Sequence, residues 1–139
     1  MLKPAYIYLL LLLAGFFMSA VKADPLDIIS ASPAKLVFLI IETDKYIVSD
    51  ARSNQFVSLP RRAKEQLIES AEAKQIVVLA SNQRFVAYSA LTQAWSEIRS
   101  QAGERTENIR AEDYAALITT NQRLLSYSGS SGVWIQRDR

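Results

Sequence analysis

A spacing of 39 residues recurs along this chain and limits its fold more than any other feature. Lys45, Arg84 and Arg123 lie one such step apart. Thr43, Asn82 and Asn121 keep the step, as do Asp44, Gln83 and Gln122. So do Tyr46, Phe85 and Leu124, then Ile47, Val86 and Leu125, and finally Phe56, Trp95 and Trp134. The second and third copies also share Tyr88 with Tyr127 and Ser89 with Ser128, where the first has Ser49 and Asp50. A fixed period of this length marks a repeat architecture, in which each unit buries its apolar faces only against its neighbours.

Each copy reads as β structure. An apolar run comes first, at Leu36 to Ile41, Ile76 to Ala80 and Ala115 to Ile118. A polar turn rich in Asn and Asp follows. The next run is β-branched and aromatic, at Tyr46-Ile47-Val48, Phe85 to Tyr88 and Leu124 to Tyr127, which is hairpin spacing. A second turn, explicit as Gly129 to Gly132 in the last copy, leads to a third strand at Phe56 to Leu59, Trp95 to Ile98 and Val133 to Gln136. The segment completing each unit is ambiguous. Residues 63–74 space Ala63, Leu67, Ile68 and Ala71 like a helix. The matching 103–112 holds Gly103, Thr106 and Asn108, which are poor helix formers. Equivalent segments should share structure, so a short strand is expected in both, with the first copy's counterpart at Leu26 to Ser30.

The N-terminus reads as a Sec-type export signal. Lys3 supplies the positive end, Ala5 to Ala14 is apolar, and Val21-Lys22-Ala23 has small residues at the −3 and −1 positions, so cleavage is expected before Asp24. An uncleaved anchor is the rival, since Ala5 to Val21 gives 17 residues, at the bottom of the spanning range. The expected organisation is a signal peptide over 1–23 and one β-repeat domain over 24–139, with units at about 24–60, 61–99 and 100–139. The domain is expected to be periplasmic or secreted, with no membrane attachment after cleavage.

Export changes the charge argument. The whole chain is formally +2. Lys3 and Lys22 leave with the signal, and the remaining 14 basic residues balance 14 acidic ones. A nucleic-acid partner, which needs a basic excess, is therefore not expected. The chain has no cysteine and no histidine. That removes disulfides, thiolate metal sites and His-dependent nucleophilic catalysis, and no cofactor or metal site is expected.

Four-strand units of this length build propeller blades or thirds of a β-trefoil. Leu36 to Ile41 does not alternate, so burial on both faces is expected, as between stacked blades. The string Phe85-Val-Ala-Tyr88-Ser89-Ala-Leu-Thr92-Gln-Ala-Trp95 resembles the passage from third to fourth strand of a kelch-type propeller blade, and Leu124 to Trp134 is similar. The glycine pair typical of kelch blades is missing from all three copies. Gln93-Ala94-Trp95 resembles the Gln-x-Trp of ricin-type lectins, which are trefoils, and occurs once. The expected fold is all-β, with three tandem propeller-blade-like repeats, and the β-trefoil is the alternative. Three units close a trefoil, whereas propellers need about four to eight blades. An open set of three blades is expected to find a second copy, or an envelope protein, to cover its end faces.

Two sets of side chains are candidates for chemistry. Phe56, Trp95 and Trp134, with Tyr88 and Tyr127, suit either sugar stacking or packing between repeats. Lys45, Arg84 and Arg123 suit a basic ring for an anion, a solvated turn position, or structural pairing with the neighbouring copy's acid. Paired carboxylates are the only acid/base apparatus left: Glu65, Glu69 and Glu72 lie close in sequence, as do Glu104, Glu107, Glu112 and Asp113, and a glycosidase would need two of them across a cleft. The function expected is a non-catalytic exported binding or interaction module of a bacterial-type cell envelope. The alternatives are a carboxylate-dependent enzyme acting on polysaccharide and a glycan-binding lectin.

Overall fold

The computed structural model describes residues 34–139. The export signal, its cleavage point and the strand expected at Leu26 to Ser30 lie outside the described residues. Within them the chain forms eleven strands and no helix. Sheet 1 contains β1 (Val37–Ile41), β2 (Lys45–Asp50) and β3 (Gln55–Pro60). Sheet 2 contains β4 (Leu67–Glu72), β5 (Ile76–Ser81), β6 (Arg84–Ser89) and β7 (Ala94–Arg99). Sheet 3 contains β8 (Thr106–Ala111), β9 (Ala115–Thr120), β10 (Arg123–Ser128) and β11 (Val133–Asp138). Each sheet is an antiparallel meander in chain order, propeller-like in form. All strand pairing stays inside a repeat, so the described strands do not make the shared barrel of a trefoil.

The step of 39 extends to backbone detail. Residues 67–72 and 106–111 are both strands, and both carry a bulge at the same place, between Leu67 and Glu69 and between Thr106 and Asn108. A bulge bends the strand that carries it, which accounts for the broken apolar spacing that imitated a helix. The turn before each outer strand ends in a left-handed residue, Asn54, Gln93 and Gly132 in successive repeats. That closing residue reverses the chain in a four-residue hairpin turn, where only glycine is free of strain. Gln93, whose context resembled a lectin motif, is therefore a turn residue. Replacing Gln93 with Gly, as the third repeat has it, is expected to raise stability by about 0.5–1 kcal/mol, read as a higher urea midpoint at unchanged m-value.

Strands β5 and β6 are buried along their whole length. Side chains alternate across a sheet, so these two strands supply both faces of the middle layer. Ile76, Val78, Ala80, Phe85 and Ala87 meet Ile109, Ala116, Ile118, Leu125 and Tyr127 of sheet 3. Val77, Leu79, Val86 and Tyr88 meet Val37, Tyr46 and Val48 of sheet 1. The described residues thus form two sandwich-like seams rather than one core. The expectation that Leu36 to Ile41 is buried on both faces is corrected. Val37 is buried, but Phe38, Ile40 and Ile41 are exposed. A non-alternating strand is sandwiched only with a layer on each side, and among the described residues sheet 1 has one on a single side.

Candidate functional site

Arg84 and Arg123 are almost fully buried, and neither is free for a ligand. Arg84 donates from Nε and Nη2 to the Glu65 carboxylate, at 2.9 and 3.0 Å, from Nη1 to Glu97, and from Nη2 to the Pro60 carbonyl at 2.7 Å. Arg123 repeats the pattern one step later, with Glu104, Gln136 and the Arg99 carbonyl. Each arginine therefore ties its own sheet to the last residue of the preceding sheet's outer strand. The side chains of Asn82 and Gln83 close the loop by donating to the Lys64 and Ala63 carbonyls, and Asn121 and Gln122 do the same to Gly103 and Ala102. Lys45 differs. It is half-buried and, among the described residues, pairs only with exposed Glu42, at 3.2 Å.

The buried acids follow from the arginines. Burial alone would raise the Glu65 carboxyl, but hydrogen bonds from Arg84 and the Arg62 N–H, with the Ser81 hydroxyl and the Arg84 charge, hold it below the usual carboxylate range. Glu104 is likewise raised by burial and lowered further by Arg123, the Gln101 N–H and the Thr120 hydroxyl. Glu65 and Glu104 thus each face an arginine, not a second carboxylate as a glycosidase pair requires. Glu72 pairs with Lys35 and Glu107 with Arg139, while Glu69, Glu112 and Asp113 are exposed. Sequence reasoning alone does not pair Glu65 and Glu104 with the arginines; the one signal for it is that they too lie one step apart and precede the two arginines by 19 residues.

The aromatic set lies along the seams. Tyr88 meets Trp95 edge-on at 5.4 Å, and Tyr127 meets Trp134 at 5.2 Å. Trp95 packs on the seam between sheets 1 and 2, and Trp134 on that between sheets 2 and 3. Trp95 Nε1 donates to the Val57 carbonyl at 3.3 Å. Tyr88 donates to buried Asp50 across the seam at 2.7 Å. Burial first, then this bond and the Asp50 charge, push the Tyr88 hydroxyl well above its ordinary pKa. Burial also raises Tyr127. Phe56 holds the same repeat position as the two tryptophans yet is 72% exposed, because no preceding sheet stands against it among the described residues.

Among the described residues, the two end faces remain open. On the outer side of sheet 3, Leu117, Leu124, Val133 and Ile135 are exposed, the last at 67%. Two adjoining depressions share Leu117 and Ser126. One reaches Arg110 and Glu112, and the other Leu124, Ile135 and Arg137. On the outer side of sheet 1, Phe38, Ile40 and Phe56 are exposed, with the Lys35 ammonium 5.3 Å from the Phe38 ring centre. A third depression, lined by Arg62, Asn82, Gln83, Arg99 and Gln101, is polar. Arg62 there is taken by Glu97, and the Asn82 and Gln83 amides by backbone carbonyls. The end faces are therefore the candidate site.

No protein-family model matches the chain, and no curated protein matches it. Among solved structures it is similar to the N-terminal domain of Nup159, at 12% identity and a TM-score of 0.38, over 73% of this chain and 29% of that one.

Proposed function

We propose that this protein is a non-catalytic, exported interaction module of the cell envelope that works by self-association, seating a second copy on its open end faces. The observation that carries the reading is that both end sheets keep large apolar side chains exposed at positions that pack seams elsewhere in the chain. Leu124 stands where Phe85 does, and Phe56 where Trp95 does. Exposed apolar clusters of this kind mark association surfaces, and an end repeat left alone would carry a polar outer face.

Assembly gives a binding role its surface. A closed set of blades presents its loops and inner strands as one platform, whereas three blades present only an arc. Glycan stacking has less support, because Trp95 and Trp134 spend their rings on the seams. The chain purified after export is expected to sediment as two copies at micromolar concentration. A mass of one copy across that range overturns the reading.

A further inference from the structure

We infer that the two copies join head to tail, the outer side of sheet 3 in each seated on the outer side of sheet 1 in the other, so that six sheets close one ring. The inference rests on the self-association reading and names its geometry.

Each seam inside the chain pairs unlike faces. The side of sheet 2 bearing Ile76, Val78 and Phe85 meets the opposite-parity side of sheet 3, and sheets 1 and 2 meet in the same sense. One step of 39 carries the first of these sides onto Ala115, Leu117 and Leu124, the open side of sheet 3. One step back carries Val77, Leu79 and Trp95 onto Phe38, Ile40 and Phe56, the open side of sheet 1. The two ends are therefore the two halves of a contact the chain already makes twice. A sheet-3 face against another sheet-3 face would use a pairing seen at neither seam. Two copies supply six sheets, inside the range in which blades close, and a head-to-tail contact that closes leaves no apolar face exposed.

The charges fit the same joint. At each internal seam the buried arginine reaches the carbonyl that ends the preceding outer strand, Arg84 to Pro60 and Arg123 to Arg99. The residue one step before Arg84 is Lys45, and the residue one step after Arg99 is Asp138. A joint between copies brings Lys45 of one to Asp138 of the other. The chain has an acid at this one strand end, where the internal ends have Pro and Arg. Asp138 makes no ion pair among the described residues, and Lys45 has only its exposed Glu42.

The test uses two variants that each block one face, Phe38→Glu and Leu124→Glu, in the chain purified after export. Both positions are exposed, and circular-dichroism melts confirm that each variant folds. Sedimentation velocity is expected to show wild type as two copies and each variant alone as one. A 1:1 mixture of the two variants regains a two-chain species containing one of each, because one sound joint is left. Lys45→Asp or Asp138→Lys alone is expected to weaken association by up to about fivefold, and the double reversal to restore it. Either blocked variant still pairing with itself, or a mixture of folded variants that stays single, overturns the head-to-tail joint. A wild type that never pairs instead overturns self-association itself.

Discussion

Glu65→Ala is expected to cost about 3–5 kcal/mol of folding stability, the range for removing one partner of a buried ion pair. The Arg84 guanidinium would stay buried between sheets 1 and 2 with Glu97 as its remaining acid, and Glu97 is far more exposed than Glu65. Two donors that now point at Glu65, and the Arg62 N–H, would also lose their acceptor. Glu104→Ala should behave alike through Arg123. The double replacement Glu65→Leu with Arg84→Met should cost much less than Glu65→Ala, because it leaves no charge stranded. Urea unfolding of the three variants checks this. A single-variant loss below about 1 kcal/mol, the worth of a surface pair, would show the staple to be solvated.

The staple also sets an acid limb. Glu65 and Glu104 titrate below their ordinary values when folded. A folded pKa below the unfolded one means the unfolded chain binds more protons in between. The stability these groups contribute is complete above the ordinary carboxylate range and is lost as pH falls through their lower folded values. Melting temperature should therefore drop on the acid side of about pH 4.5, and by less in the Leu/Met variant.

How much of this was legible in the sequence depends on what the repeat step carries. Three copies, their hairpins and the strand at 67–72 followed from the step, because equivalent positions constrain one another where a single segment misleads. Residues 63–74 alone imitate a helix through the bulge at Ile68, and only the poor helix formers at 103–112 corrected that. The basic ring did not follow. Three cations at one step were visible, but their distances to Glu65 and Glu104 depend on how the linking loops fold back. Burial did not follow either, since identical repeat positions acquire different surroundings at the middle and at the ends. Leu36 to Ile41 is the most apolar run of the described chain and is still half open, because burial is decided by the neighbouring sheet rather than by the strand itself.

That dependence yields the second large expected effect. Tyr46, Phe85 and Leu124 are one repeat position. Tyr46 is fully buried, Phe85 is 1% exposed and Leu124 is 36% exposed. Phe85→Ala removes a ring from the seam between sheets 2 and 3, where β6 is buried on both sides, and is expected to cost about 3–5 kcal/mol. Leu124→Ala makes the same kind of truncation on a face with nothing among the described residues packed against it, and should cost less than about 1 kcal/mol in a chain diluted to single copies. The comparison holds sequence position within the repeat constant and varies only the neighbour, so it measures the seam rather than the strand. Denaturant melts of both variants at nanomolar and micromolar concentration give the answer. Equal losses at nanomolar concentration would mean that sheet 3 is already covered within one chain, and both the open end and the ring built on it would fall. A Leu124→Ala loss that appears only at micromolar concentration is the expected result, since it places the missing neighbour in the second copy.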